Sequence, residues 1–185
     1  RYIDILNPDP TDIEFADVDG IMKKISKKQD KYNTVSLTQV MDHDIWSIEV
    51  IFSNSSNGQA AVGIVRDTFN ISAGIRPRDN SPQTDNIAIY QGAAMDNGHA
   101  HYKGSCIEGV TSFTDNQIVR LELDFGKGTL IFFLNDTQQK VYFAGIKEKV
   151  RFVIYMYNAG SFCTIRSLKK LEASNYTANG TAVQW

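Results

Sequence analysis

Cysteine is scarce in this chain, with Cys106 and Cys163 far apart in sequence and no second pair among 185 residues. That excludes a small disulfide-stapled scaffold and suits buried thiols in a reducing, intracellular compartment. Neither sign of charge dominates, since 19 Lys and Arg face 21 Asp and Glu for a formal net charge of −2. The electrostatic case for nucleic acid or an anionic membrane is therefore missing. No apolar run approaches the roughly 20 residues that span a bilayer. No signal peptide is visible, and a first residue of Arg1 in place of Met gives the expectation of an excised domain or a processed chain. Long stretches of 3.6-residue period are lacking too, which leaves helix a minor role.

What is present is a set of short strand patterns. Hydrophobic residues make up 42% and charged residues 22%, enough for one domain with a sizeable core. From Val119 to Phe125, apolar residues alternate with Arg120, Glu122 and Asp124, the signature of a strand with one wet face. Gly126-Lys127-Gly128 supplies a turn, because glycine tolerates the positive φ that reversing strands need. The return run Thr129 to Leu134 is apolar on both faces and is expected deep between two layers. Asn135-Asp136-Thr137 closes it with turn-forming side chains.

The remaining strands are expected at Ile13 to Phe15, Ile21 to Ile25, Ile45 to Phe52, Ala60 to Val65, Ile87 to Tyr90, His99 to Lys103, Val141 to Ala144, Val150 to Tyr157 and Phe162 to Leu168. Gly63, inside one of them, is read as a place where a neighbour crowds the backbone. Residues 1–11, with Pro8 and Pro10, read as a lead-in unable to hold a regular ladder. Residues 172–185 read as a polar tail, with Trp185 out of character there. The lysines at 23, 24, 27, 28 and 31 read as a solvated edge and loop. Five Asn-x-Ser/Thr triplets, at Asn54, Asn70, Asn135, Asn175 and Asn179, read as turn chemistry and not as glycan sites. The polar connection Asp67 to Asn86 is long for a compact domain, and such loops tend to carry function.

The order of these elements resembles the SPRY domain, the core of the B30.2 family. Trp46, Glu49 and Val50 match its early Trp-Glu-Val-like strand, and Val62, Gly63 and Ile64 the Val-Gly-Val-like strand that follows. Asp115, then Leu123, Asp124 and Phe125, then Leu130 to Asn135 match the later hairpin, and the resemblance covers roughly residues 12 to 170. It implies an all-β fold, a bent antiparallel, jelly-roll-like sandwich with residues 12–171 as its domain. It also implies a non-catalytic module that binds a protein or peptide through loops, without a cofactor. The chain departs from the family's usual pattern at Ile87-Ala88-Ile89-Tyr90, at Val150-Arg151-Phe152 and at Tyr157-Asn158-Ala159. The last of these replaces a loop that many members furnish with Trp on the recognition surface, so partner identity does not carry over.

On the residues themselves, Tyr102, Tyr157 and Asn158 are the leading partner-binding candidates, expected together at one loop end. Arg66, Asp67, Arg76 and Arg78 stand on neighbouring loops. Tyrosine and arginine suit recognition, offering contact area with a polar handle. Trp46 and Glu49 are read as structural. His99-x-His101 would place two imidazoles on one face, but a metal needs further ligands, which His43 or Asp96 would have to bring. Glu122-x-Asp124 offers two carboxylates on one strand, and glycoside hydrolysis needs such a pair. Jelly-roll glucanases using such a strand carry another Glu just beyond the Asp, where this chain has Phe125-Gly126-Lys127. No Gly-rich phosphate loop or nucleophile elbow is present. The expectation is a protein-interaction module of an intracellular multidomain protein. A lectin-like sandwich and an intramolecular scaffold domain are the alternatives.

Overall fold

A computed structural model describes residues 3–96 and 99–185. In chain order its strands are β1 (Ile5–Leu6), β2 (Ile13–Val18), β3 (Met22–Lys27), β4 (Asn33–Leu37), β5 (Ile45–Ser53), β6 (Ala60–Arg66) and β7 (Ile87–Gln91), with the one-turn helix α1 (Gln83–Asn86) before β7. There follow β8 (Ala100–Tyr102), β9 (Ser105–Ile107), β10 (Ile118–Asp124), β11 (Thr129–Leu134), β12 (Thr137–Ala144), β13 (Val150–Met156), β14 (Phe162–Leu171) and β15 (Thr181–Gln184). Among the described residues these form two sheets. The order is β1-β4-β13-β6-β7-β8-β9 in the seven-stranded sheet and β15-β12-β11-β10-β5-β14-β3-β2 in the eight-stranded one. The architecture is the expected all-β sandwich.

The core follows from strand periodicity. Ile48, Val50 and Phe52 of β5, Leu121 and Leu123 of β10 and Leu130 and Phe132 of β11 face inward from one sheet. Val62, Ile64, Tyr90, Phe152 and Ile154 face them from the other. Aromatic rings bridge the layers: Tyr90 stacks on Phe132 at 5.3 Å, and Phe113 lies parallel to Phe52 at 5.1 Å. Each fully buried ring of this size contributes about 1.5–3 kcal/mol from desolvation alone. The Tyr90 hydroxyl donates to the Thr111 carbonyl, so its polar end is also satisfied. Trp46 is buried in the core with its indole N–H donated to the His43 carbonyl at 3.1 Å. A Cβ at Gly63 would lie 1.8 Å from the Ala88 carbonyl oxygen, so only glycine lets β6 and β7 approach as they do.

Several expectations need correcting. The expected wet face of β10 is largely covered: Glu122 and Asp124 are buried, Asp124 in the hairpin turn and Glu122 beneath residues 172–177, which fold back over it. Ser174 donates to Glu122, while Tyr176 meets Phe133 edge-on at 4.5 Å. The same covering gives Phe133, on the outer face of β11, an apolar partner. The segment read as a polar tail thus carries a strand, β15, parallel to β12. Likewise the lead-in holds a two-residue ladder, β1 on β4.

The lysine cluster is not uniformly solvated either. β3 is an interior strand between β14 and β2. The Lys27 ammonium pairs with Asp12, both side chains being buried. Asn33 Nδ2 bridges the carboxylates of Asp9 and Asp12 at 3.0 and 2.7 Å, and Lys31 completes the group by pairing with Asp9 at 2.5 Å. Two of the Asn-x-Ser/Thr asparagines do turn work. Asn54 and Asn135 both have positive φ, and Asn135 Oδ1 accepts from the Ile118 amide at 2.9 Å.

Candidate functional site

Strand register decides which of the proposed residues can act together. On the seven-stranded sheet, Tyr155 is level with Ala61, and Ala61 with Gln91, while Val150 and Arg66 mark the opposite end. His101 pairs with Ile89 and so places Tyr102 one step further toward the Arg66 end. Tyr102 lies in the inner core, whereas Tyr155 and Tyr157 belong to a second apolar cluster on the outer face. Tyr102 and Tyr157 therefore occupy opposite faces and lie toward opposite ends of the sheet. The expected grouping of both tyrosines at one loop end is corrected: a three-residue strand such as β8 gives too little pattern to fix which side faces in.

The outer-face cluster is built from Ala61, Val65, Ile87, Ile89, Val153 and Tyr155, over which the 67–86 connection lays Phe69 and Ile71. The connection is held down at several points. Arg151 donates to Asp67 Oδ1 at 3.0 Å, to the Phe69 carbonyl at 3.1 Å and to Ser36. Thr34 Oγ1 donates to the Ile75 carbonyl at 2.8 Å, and the Gly74 amide donates to Asn33 Oδ1 at 2.8 Å. A furrow of about 220 Å³ opens between this connection and the lead-in, lined in part by Leu6, Ser36, Asn70 and Arg151.

Beside that covered region lies an aromatic and cationic surface. The Tyr32 ring, 38% exposed, tilts against Tyr157 at 5.3 Å and Tyr155 at 6.3 Å. The Arg76 guanidinium sits 4.9 Å from the Tyr32 ring centre and is held by Asp79 at 2.5 Å. Tyr157 and Asn158 are tied to the facing loop, as the Lys31 amide donates to the Tyr157 carbonyl and the Ala159 amide to Asp30 Oδ1. A tight turn from Asn158 to Ser161 fixes the backbone, with the Ser161 amide 3.0 Å from the Asn158 carbonyl. Asn158 Oδ1 and the Tyr155 hydroxyl have no hydrogen-bond partner among the described residues.

Arg78 donates to Gln91 Oε1 at 3.1 Å and to the Asp96 carbonyl, next to His101. Burial, then the charges of Arg78 and Arg76, lower the His101 pKa to about 4, so the ring is neutral at pH 7. Arg66 and Asp67 serve elsewhere. Arg66 contacts Glu148, the Asp85 carbonyl and the Trp185 ring, and Asp67 anchors Arg151.

The candidates for chemistry are engaged structurally. Glu122 binds Arg120 at 3.2 Å and Ser174, and Asp124 accepts from the Lys127 amide at 3.0 Å in the hairpin turn. His99 Nδ1 lies 3.3 Å from the Val110 carbonyl, and exposed His43 is flanked by Asp42 and Asp44. Among the described residues no three His, Cys, Asp or Glu converge to hold a metal ion. No described helix is long and apolar enough to cross a membrane. Sequence reasoning missed Tyr32, Asp79 and Tyr155. The Tyr155-x-Tyr157 spacing was the available signal, since residues two apart on a strand share a face.

No family model matches the sequence, and no curated protein does. Solved structures do. The SPRY domain of human HERC1 matches with a TM-score of 0.63 at 14% identity, over 90% of this chain and 99% of that one. The TRIM65 PSpry domain matches at 0.58 and 14% identity, over 89% of each chain. The stonustoxin structure matches at 0.59 and 12% identity, over 88% of this chain and 26% of that chain. At such identities the likeness is one of fold: the chain is a SPRY-like sandwich.

Proposed function

We propose that this chain is a non-catalytic protein-interaction module that binds an extended or turn-shaped peptide segment on the outer face of the seven-stranded sheet. The site is the surface formed by Tyr32, Tyr157, Asn158 and Arg76. The observation that carries this reading is the tilted Tyr32–Tyr157 pair with Arg76 against it, each member braced by neighbouring backbone or by Asp79. Braced aromatics and a held guanidinium meet a ligand with little ordering cost, and these residue types dominate interface energetics. Asn158 shapes the turn beside the rings, its carbonyl accepting from the Ser161 amide. Arg78 borders the surface, while Tyr102, Arg66 and Asp67 have structural roles in this reading. The SPRY fold, which typically serves protein interaction, supports the class of function. The buried thiol of Cys163 suits a reducing compartment, and the module is proposed as the recognition part of a larger intracellular protein.

The test is selection of displayed random peptides on the native chain, followed by titration of variants with a recovered peptide. Tyr157→Ala should cost about 1–3 kcal/mol of affinity, with Arg76→Ala and Asn158→Ala also weakened. Retention of full affinity in all three would refute the site.

A second reading, carbohydrate binding, has one observation in its favour. A basin of about 260 Å³ on the eight-stranded sheet is lined by Ser47, Glu49, Arg120, Glu122, Lys169 and Tyr176. Hydrogen-bonding side chains beside a tyrosine suit a sugar. Glycan-array binding abolished by Glu49→Ala would favour it over the peptide reading.

A further inference from the structure

The last residues of the chain are bound as a ligand would be. β15 adds to the free edge of β12 in parallel register, from Val141 opposite Thr181 to Ala144 opposite Gln184. Thr181, Ala182 and Gln184 are exposed, so the ladder, the partly buried Val183 and the residue that follows hold it. The Trp185 amide donates to the Ala144 carbonyl at 2.9 Å. The Trp185 ring stacks on Tyr102 at 4.9 Å and 5°, and the Arg66 guanidinium lies 4.6 Å from the indole. The indole N–H donates to Glu148 Oε1 at 2.8 Å. Tyr102 belongs to the seven-stranded sheet and β12 to the eight-stranded one, so the indole closes a gap between layers. Close approach governs the backbone path as well. A Cβ on Gly180 would meet the Lys140 carbonyl oxygen at 2.0 Å, and one on Gly145 would meet Gln184 Nε2 at 1.8 Å.

From this we propose a second peptide-recognition site, the β12 edge with its Tyr102–Arg66–Glu148 pocket, for extended segments in which a tryptophan follows a glycine after four intervening residues. Residues 180–185 are its occupant in cis. The elements of recognition are complete within six residues: a backbone ladder, a glycine entry and an aromatic anchor with a charge-assisted hydrogen bond. Residues 172–180 contain no strand but are held on the eight-stranded sheet through Ser174, Tyr176 and Thr177, so the occupant competes at an effective concentration of about millimolar or above. A segment in trans therefore binds when the occupant's anchor is lost. This site is separate from the Tyr32–Tyr157 surface, since Tyr102 faces the core at the other end of the sheet.

The probe is a fluorescein-labelled synthetic peptide of residues 179–185, titrated by fluorescence anisotropy into the full chain carrying Trp185→Ala. Saturable binding is expected. It should be at least tenfold weaker to the native chain, whose own segment competes, and to a chain that adds Arg66→Ala and Glu148→Ala. A peptide with alanine at the tryptophan should not bind. Absence of binding by a Trp185→Ala chain with native circular dichroism would overturn the proposal, as would equal binding to all three chains. Loss of the fold on Trp185→Ala would overturn it too, because residues 180–185 would then be an obligatory strand and not a ligand.

Discussion

His101 remains neutral in the folded chain at pH values where a free imidazole takes up a proton. Its pKa falls from 6.5 to about 4, through burial and then the nearby Arg78 and Arg76. Between those values the unfolded chain binds more protons than the folded one, so acidification favours unfolding. The contribution is fully present above about pH 6.5 and is lost as pH drops toward 4. Urea midpoints should therefore fall between pH 7.5 and 5 in the native chain, and fall less in His101→Gln. Asp9 acts lower on the scale. Hydrogen bonds from Lys31, Thr11 and Asn33 hold its carboxyl well below its ordinary 3.8, so its stabilisation is present above that value and lost below it. Gly63 supplies a steric test at the same scale: Gly63→Ala puts a methyl into the Ala88 carbonyl and should cost about 1–3 kcal/mol or more in denaturant unfolding.

Among elements, the β10–β11 hairpin is the part most open to deletion tests. Phe132→Ala should destabilise by about 3–5 kcal/mol and Leu123→Ala by about 2–5, through lost burial and a residual cavity. Melting within a degree or two of the native chain would remove the hairpin from the core. At the β3–β4 side, Asp12→Ala leaves the Lys27 ammonium buried without its partner, at a cost of about 3–5 kcal/mol. Replacing both residues by apolar ones should cost less, as calorimetry of the two variants beside the native chain would show. These elements differ in how much of them the sequence discloses. The hairpin is legible because alternation and a Gly-Lys-Gly turn agree. β4 is not, since Asn33, Thr34 and Ser36 look like loop residues; their polar groups instead tie down the 67–86 connection and its partners. Lys27 looks solvated because sequence does not record that β2 lies outside β3. For the candidate site, Tyr157, Asn158 and Arg76 were legible as residue types. Their partner Tyr32 was not, because it comes from a loop 125 residues before Tyr157 in sequence.

For the whole molecule, the two sheets have unlike outer faces. The seven-stranded sheet is partly roofed by the 67–86 connection and presents the Tyr32–Tyr157 surface at its edge. The eight-stranded sheet is crossed by residues 172–177, and its β12 edge is taken by β15. The fold thus braces its aromatic surface on loop residues directly beside the ends of β4 and β13, the arrangement a recognition module needs. Hydrogen–deuterium exchange of the full chain, with and without a peptide selected on it, tests this directly. Slowed exchange in residues 157–161 and 74–79, with residues 181–185 unchanged, is the predicted result; protection confined to the eight-stranded sheet, with 157–161 unaffected, would contradict it.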